Sequence, residues 1–348
     1  MINTFSKFHQ LIINWYHVNG RKNLPWQTEK TPYKIWLSEI MLQQTQVKTV
    51  IPYFNVFIKK FPNFNSLKLA SINEILYLWS GLGYYTRAKN LYKTTKIIAE
   101  KYNNQFPDNF IDLVKLPGIG KSTAGAILSL AFGYYYPILD GNVKRVLTRY
   151  YAISTEMNKR KTENELWKTI DKITPIYNTG KFNQAMMDLG SLICKRTNPK
   201  CNICPLHINC ITLSKKNFEK YPKKYTNKNI LKKTFYFLIL QYNHYVLLKK
   251  RPSYGIWANL FSFPEFYNEI NALSWMKNKK IKKNEKKIIN PMYHYLTHLQ
   301  LYIVPIYINL TLLQKNNIYH NSNAIWYNLT KPQLIGLSSP VKKILNKL

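Results

Sequence analysis

Leu116-Pro117-Gly118-Ile119-Gly120-Lys121-Ser122-Thr123 stands between two stretches whose apolar residues recur at helical spacing. Gly118 and Gly120 permit a tight hairpin whose backbone N–H groups point outward at the start of the next helix. That geometry holds one phosphate through amides and the helix dipole, without reading base sequence. Taken by itself, the segment also reads as a plain glycine-rich turn between helices. A nucleotide-binding P-loop is excluded. The leading glycine of G-x4-G-K-S falls at Lys115, and no strand precedes it. Further along, Leu139-Asp140-Gly141-Asn142-Val143-Lys144-Arg145 places an acid at another helix start. Asp140 there is either a helix cap or a carboxylate held beside a bound backbone.

On both sides of the hairpin, from Phe5 to about Leu213, runs such as Ile35–Val47, Leu91–Tyr102, Ser122–Phe132 and Asn142–Tyr151 repeat the helical spacing between Gly and Pro punctuation. This predicts an all-α domain over residues 1–213. Residues 214–233 are basic and lack periodicity, and are expected to be a linker. After them the pattern turns to β-type runs at Thr234–Gln241, Tyr245–Lys250 and Gln300–Asn309. With short helices expected near Glu269–Lys277 and Pro340–Lys347, residues 234–348 read as a smaller α+β domain. Lys277–Lys287 reads as a solvated basic loop.

The cysteines are Cys194, Cys201, Cys204 and Cys210, spaced C-x6-C-x2-C-x5-C within seventeen residues. The N-terminus lacks a signal-peptide layout, because Asn14, His17 and Asn19 interrupt the run Leu11–Trp15. No stretch approaches the length of a membrane span. A cytoplasmic protein with reduced thiols is therefore expected, and a disulfide framework is not. One small inorganic centre fits the spacing. An iron–sulfur cluster and a four-cysteine zinc site both remain open from spacing alone. The chain carries 51 Lys+Arg against 16 Asp+Glu, a formal charge of +35. Part of that excess matches the Lys, Asn, Ile and Tyr bias of an AT-rich genome. The remainder points to a polyanionic partner or a charged membrane surface, with nucleic acid first among the candidates.

These residues reach a family. The phosphate-binding hairpin, the downstream acid and the cysteine loop resemble the helix-hairpin-helix DNA glycosylases that carry an Fe–S cluster. Pro25-Trp26-Gln27, the segment Thr31–Val47 (TPYKIWLSEIMLQQTQV), Gly81-Leu82-Gly83-Tyr84-Tyr85 and Phe182–Gly190 (FNQAMMDLG) narrow the likeness to MutY-type adenine DNA glycosylases. It runs from about Leu24 to Cys210, and more loosely beyond. The fold implied is an all-α helix-hairpin-helix glycosylase domain with an Fe–S cluster loop (194–210), followed by a Nudix-like α+β domain. The four cysteines would then hold a [4Fe-4S] cluster. The activity implied is removal of adenine from A:8-oxoguanine or A:G mispairs in double-stranded DNA, by a bacterial, nucleoid-associated monomer without membrane attachment.

The resemblance also assigns roles. Glu39, which would otherwise pass for an exposed helix glutamate, sits among Trp36, Leu37, Ile40 and Met41. It would be the acid that protonates adenine at N7, and Asp140 would meet the positive charge developing on the sugar. Gln44 and Tyr84 would wedge into the gap left by a flipped adenine, Thr45 would touch 8-oxoguanine, and Gln27 and Gln184 would lie along the adenine edges. Gly118, Gly120, Lys121, Asn142, Lys195, Arg196 and Lys200 would serve the DNA backbone and the loops around it. Ser122 stands where strand-cutting relatives of endonuclease III type place a nucleophilic lysine, so the enzyme is expected to be monofunctional. Lys144 matches a lysine that traps the abasic product in this family. In the C-terminal domain Arg251-Pro252, Gly255-Ile256-Trp257 and Phe263-Pro264 fit the Nudix pattern, but Asn268–Lys283 carries the single acid Glu269, so hydrolase metal chemistry is not expected. Leu296-Thr297-His298 stands where the family reads 8-oxoguanine with Phe-Ser-His. Thr297 and His298 keep the polar groups, and Leu296 loses the aromatic ring. Two other readings compete: a bifunctional pyrimidine-lesion glycosylase/lyase, and a non-catalytic Fe–S DNA-binding protein.

Overall fold

The computed structural model describes residues 2–153, 160–222, 230–281, 286–318 and 323–348. The chain forms two compact units: Met1–Leu69 with Asn90–Thr226, and Ala70–Lys89 with Asn227–Leu348. Its helices in order are α1 (Ile2–Asn19), α2 (Pro32–Leu42), α3 (Val47–Lys60), α4 (Phe64–Lys68), α5 (Ile72–Leu78), α6 (Thr86–Lys101), α7 (Phe110–Lys115), α8 (Lys121–Ala131), α9 (Gly141–Tyr150), α10 (Arg160–Ile173), α11 (Thr179–Leu192) and α12 (Ile211–Ser214). The C-terminal part adds α13 (Glu269–Asn278), α14 (Leu312–Ile318) and α15 (Ser339–Leu345).

In the helical unit, α7 and α8 form the expected hairpin. Gly118 takes φ +82°, which a side chain rarely adopts, and a Cβ there would meet Asn90 Cβ at 3.0 Å. Gly120 is the N-cap of α8 and offers no side-chain cap, so the first-turn N–H groups of that helix are left to an outside acceptor. One core gathers Ile12 of α1, Val143 and Leu147 of α9, Leu166 and Ile170 of α10, and Phe182 and Leu189 of α11. Each such side chain contributes about 1.5–3 kcal/mol by leaving water.

The expected single helical run Ile35–Val47 is broken. Helix α2 ends at Leu42 and α3 begins at Val47, with Gln44 between them at φ +57°. A non-glycine residue held there costs of order 1–3 kcal/mol, so tertiary structure overrides the local helical preference.

The second unit is built on a sheet ordered β3-β2-β1-β7-β5, with β4 on β1, β6 on β7 and β8 on β2. The strands are β1 (Leu231–Tyr242), β2 (Tyr245–Lys250), β3 (Phe261–Ser262), β4 (Glu265–Phe266), β5 (Lys286–Ile288), β6 (Met292–Tyr295), β7 (Leu299–Asn309) and β8 (Ala324–Asn328). Strands β1 and β7 pair in parallel from Leu231↔Leu299 to Gln241↔Asn309. Leu238, Leu240, Ile306 and Ile308 on them face Ala272 and Met276 of α13 across a shared core. Ala70–Lys89 packs in this unit through specific bonds. Leu337 N–H donates to Ser80 Oγ (3.0 Å), and Tyr85 O–H donates to the Leu337 carbonyl (2.8 Å). Of the expected linker 214–233, residues 223–229 lie outside the described residues, and Leu231–Lys233 are already in β1. Of the expected basic loop Lys277–Lys287, residues 282–285 lie outside them too.

Candidate active site

Two carboxylates face different environments. Glu39 lies on α2, where Pro32 opens the helix and Thr31 caps it by accepting from Lys34 N–H. Its neighbours Trp36, Leu37, Ile40 and Met41 are buried, while Glu39 itself keeps a partial opening to solvent. That enclosure, with the Asp140 charge as the smaller cause, pushes its carboxyl up from 4.5 to about 8. Asp140 is the N-cap of α9. Its Oδ1 accepts from the N–H groups of Asn142 (3.0 Å) and Val143 (2.8 Å), and its Oδ2 from the Asn142 side-chain amide (2.8 Å). Burial raises the Asp140 carboxyl, and those three donors and Arg145 pull it back. The pair is asymmetric: Asp140 has donors to hold its charge, while Glu39 is governed by desolvation.

Asn142 is fixed in turn. Helix α11 passes so close that a Cβ on Gly190 would lie 2.6 Å from Asn142 Cβ and 2.9 Å from its carbonyl oxygen. Arg145 donates to Asn142 Oδ1 (2.9 Å), to the Gly190 carbonyl (2.6 Å) and to the Cys194 carbonyl (2.7 Å). One turn on, buried Arg149 donates to the carbonyls of Lys195 (2.6 Å), Arg196 (3.1 Å) and Tyr221 (2.9 Å), and lies 3.4 Å from Cys194 Sγ. The sequence reading overlooked both arginines. Arg145 closes the Asp140 segment Leu139–Arg145 and Arg149 follows four residues on, and that spacing was the available signal.

The four cysteines line one cavity together with Arg149, Ile193 and Phe218. Burial pushes the Cys204 thiol up to about 12, and burial with the charges of Cys194 and Cys210 raises Cys201. Four thiols gathered in one cavity are best held as thiolates by a cationic centre, so the donor set fits a thiolate-ligated metal group. Among the described residues, no three His, Cys, Asp or Glu side chains close on a point as ligands of a single ion would.

The remaining candidates fall into three situations. Gln27 has both side-chain amide atoms buried, and neither finds a hydrogen-bond partner among the described residues. An unpaired buried amide is costly unless a ligand completes it. Gln184 on α11 is also buried, but it gives its amide N–H to Asp188 Oδ1 (3.2 Å), which also pairs with Arg21 (2.6 Å). Gln44 is exposed, and Thr45 O–H lies 3.4 Å from the Gln43 carbonyl. Gln43 in turn donates to the Gly118 carbonyl (3.1 Å), tying the broken α2–α3 junction to the hairpin.

Around the hairpin, Ser122 Oγ accepts from Leu139 N–H (3.2 Å), next to Asp140. Lys121 Nζ stands 3.9 Å from the Trp167 ring centroid, and Lys144 Nζ lies 2.8 Å from Glu163 Oε1. Lys195, Arg196 and Lys200 lie in the cysteine loop, where Lys200 N–H donates to the Ile193 carbonyl at 3.0 Å.

In the sheet unit, Thr297 and His298 are the two residues of the β6–β7 turn, closed by Leu296 N–H to the Leu299 carbonyl (2.8 Å). Tyr84, at φ +49° and 46% exposed, has its hydroxyl 3.2 Å from Thr297 Oγ1. Two residues 213 positions apart are thereby brought together. Helix α13 carries Glu269 as its single acid, as expected.

Comparison with known proteins defines the class first. A family model described as HhH-GPD superfamily base excision DNA repair protein matches residues 37–172, and a NUDIX domain model matches residues 235–347. A solved thermostable thymine-DNA glycosylase aligns at TM-score 0.56 and 28% identity, over 61% of this chain and 97% of that one. The adenine DNA glycosylase of Buchnera aphidicola subsp. Baizongia pistaciae (strain Bp) is 55% identical over 344 residues, covering 98% of this chain and 96% of the relative. That of Buchnera aphidicola subsp. Schizaphis graminum (strain Sg) is 53% identical over 343 residues, covering 98% and 99%. The chain belongs to the adenine DNA glycosylase family. No helix among the described residues is long and apolar enough to cross a membrane.

Proposed function

We propose that this protein is a monofunctional adenine DNA glycosylase acting on adenine opposite 8-oxoguanine or guanine in double-stranded DNA. The reading gives residues 1–213 the chemistry and 234–348 the recognition of 8-oxoguanine. A cytoplasmic, nucleoid-associated monomer fits it. The observation that carries the reading is the unequal carboxylate pair. Adenine is a poor leaving group as an anion, and becomes a neutral one once protonated at N7. Glu39, with its carboxyl pushed up to about 8, holds that proton at neutral pH. Asp140, also raised by burial, has three N–H donors facing it that favour its charged form. It stabilises the cation that develops at C1′ as the N9–C1′ bond lengthens. Water then adds at C1′ and returns a proton to the Glu39 carboxylate.

The flipped adenine needs groups for its edges, and the unpartnered amide of Gln27 supports that role. Gln184, whose amide N–H is held by Asp188, is the second candidate for those edges. The uncapped start of α8 at Gly120 offers N–H groups to one phosphate, with Lys121, Lys195, Arg196 and Lys200 as further backbone contacts. Cys194, Cys201, Cys204 and Cys210 would hold a [4Fe-4S] cluster, which when bound supplies positive charge to four thiolates and fixes the loop. In the sheet unit Tyr84, Thr297 and His298 form a polar tip suited to the base left opposite, and Gln44 and Thr45 serve the gap.

Ser122 carries a hydroxyl committed to Leu139 N–H where a strand-cutting enzyme needs an amine. The test is a duplex with one A:8-oxoguanine pair, each sample split with and without hot alkali. Adenine-strand cleavage only after alkali, and absent in Glu39→Gln, is expected. Cleavage without alkali would overturn the monofunctional reading.

A further inference from the structure

Ala70–Lys89 falls within the helical family match at residues 37–172, yet it belongs to the sheet unit. Leu337 shows how it is held there. Its N–H donates to Ser80 Oγ (3.0 Å), and its carbonyl accepts from the Tyr85 hydroxyl (2.8 Å). Each hydroxyl is used a second time. Ser80 O–H donates to the Leu76 carbonyl (2.9 Å), and the Tyr85 oxygen accepts from Gly81 N–H (3.0 Å). Ser80, Tyr85 and Leu337 are all buried, so these bonds are costly to break. Leu337 is fixed in turn, because it bridges Phe261 of β3 and Phe261 N–H donates to the Gly336 carbonyl (2.9 Å). The approach is close: a Cβ on Gly336 would lie 2.6 Å from Leu76 Cβ and 2.9 Å from Leu260 Cδ2.

The segment bracketed by Ser80 and Tyr85 carries Tyr84. Gly81 takes φ +104°, Gly83 +79° and Tyr84 +49°. A non-glycine residue in that region persists when its surroundings over-determine it. Within the segment, the Gly83 carbonyl accepts from Trp79 Nε1 (3.2 Å) and Arg87 Nη2 (3.0 Å), and the Arg87 guanidinium lies 5.4 Å from the Tyr84 ring centroid. Those contacts shape the turn. The two bonds to Leu337 tie it to the sheet unit, whose β6–β7 turn sets Thr297 beside the Tyr84 hydroxyl. We propose that the Leu337 backbone, gripped by Ser80 and Tyr85, sets the place of Tyr84 over that turn and thereby the discrimination of the base opposite adenine. Ser80 and Tyr85 are positioning residues that act through Tyr84. The inference rests on the glycosylase reading above, in which Tyr84 and Thr297 meet that base. An exposed hydroxyl pair competes with water and fixes little by itself. Recognition needs its side chains held to within about 0.5 Å, and the buried bonds behind Tyr84 supply that restraint.

The test uses the full-length chain and single-turnover adenine excision from two duplexes, A:8-oxoguanine and A:G. Tyr85→Phe keeps the ring and its packing while removing both hydroxyl bonds. Ser80→Ala releases the other side of Leu337. The excision ratio of A:8-oxoguanine over A:G is expected to fall about threefold to tenfold in Tyr85→Phe and about twofold to fivefold in Ser80→Ala. Adding Tyr85→Phe to Tyr84→Ala should lower the ratio no further than Tyr84→Ala alone, since the restraint acts through that ring. A role confined to stability would lower both rates alike and leave the ratio unchanged. An unchanged ratio in Tyr85→Phe and Ser80→Ala, with a fall in Tyr84→Ala, would overturn the restraint alone. So would a further fall in the double variant. An unchanged ratio in Tyr84→Ala would overturn the reading of the tip itself and the restraint with it, so the two failures separate.

Discussion

The carboxylate pair of the helical unit and the β6–β7 tip of the sheet unit solve opposite problems. Glu39 and Asp140 are fixed by helix geometry: one is enclosed by the apolar face of α2, and the other is tied to the first turn of α9 by three N–H donors. Thr297 and His298 sit in a two-residue turn in the open, with the Tyr84 hydroxyl as the neighbour of Thr297. Protonating a base near neutral pH requires a carboxyl of raised proton affinity, which enclosure supplies at Glu39. Reading a surface requires side chains that water can leave cheaply. On the proposed function the chain hides its chemistry and displays its recognition, and substitutions in the two regions should differ in size as well as kind.

The largest effect is expected at the enclosed site. Glu39→Gln should lower single-turnover adenine excision by about 10²–10⁴-fold with DNA binding retained; a loss under tenfold would detach catalysis from this carboxyl. The same enclosure gives a pH signature. The excision rate should fall as pH rises through about 8, where Glu39 gives up its proton. Stability follows with a defined sign. The folded carboxyl holds its proton more tightly than the unfolded one, so this contribution is full below 4.5 and lost between 4.5 and about 8. Glu39→Gln, which cannot ionise, should gain on the parent by on the order of a few kcal/mol above pH 8 in denaturant titrations. Identical pH–stability curves would show that the carboxyl is freely solvated.

Intermediate effects belong to the connection between Asp140 and the cysteine loop. Arg149→Met would leave the carbonyls of Lys195, Arg196 and Tyr221 without their donor. It should cost about 2–4 kcal/mol in unfolding free energy, together with a loss of bound iron; an unchanged iron content would mean the loop holds its own shape. The smallest effects are expected at the displayed tip. Leu296→Phe, which restores an aromatic ring beside Thr297, should raise the excision ratio of A:8-oxoguanine over A:G by about twofold to tenfold. Tyr84→Phe removes the exposed hydroxyl bond to Thr297 and should lower that ratio by about twofold at most. A hundredfold effect at either position would abolish the contrast between the two regions.

Much of the helical unit was legible because its signals are local. The Gly118/Gly120 turn, the Asp140 cap and the apolar spacing of α8 and α9 need no knowledge of distant residues. In the sheet unit β1, β2, β7 and α13 were legible for the same reason, from alternating or helical apolar runs. The short strands β3 and β4 were not, since two residues carry no period. The break between α2 and α3 escaped because residues 43–46 favour helix locally, and the bond from Gln43 to Gly118 is a tertiary matter. The place of Ala70–Lys89 beside the C-terminal residues escaped too, because it depends on bonds such as Ser80 to Leu337 that span the chain. At the site, the cysteine spacing announced the thiols and a helix start marked Asp140, whereas Glu39 was singled out only through the family resemblance. The anchoring arginines and the pairing of Lys121 with Trp167 and Lys144 with Glu163 emerged only from the fold.

The passage of α11 over Asn142 at Gly190 has a consequence for genetics. A methyl group at that position would overlap the asparagine that grips Asp140. Position 190 bears no functional group and is nonetheless expected to behave like an active-site locus. A screen for mutator alleles should return Gly190→Ala alongside Glu39→Gln, although a search for reactive side chains would pass it by.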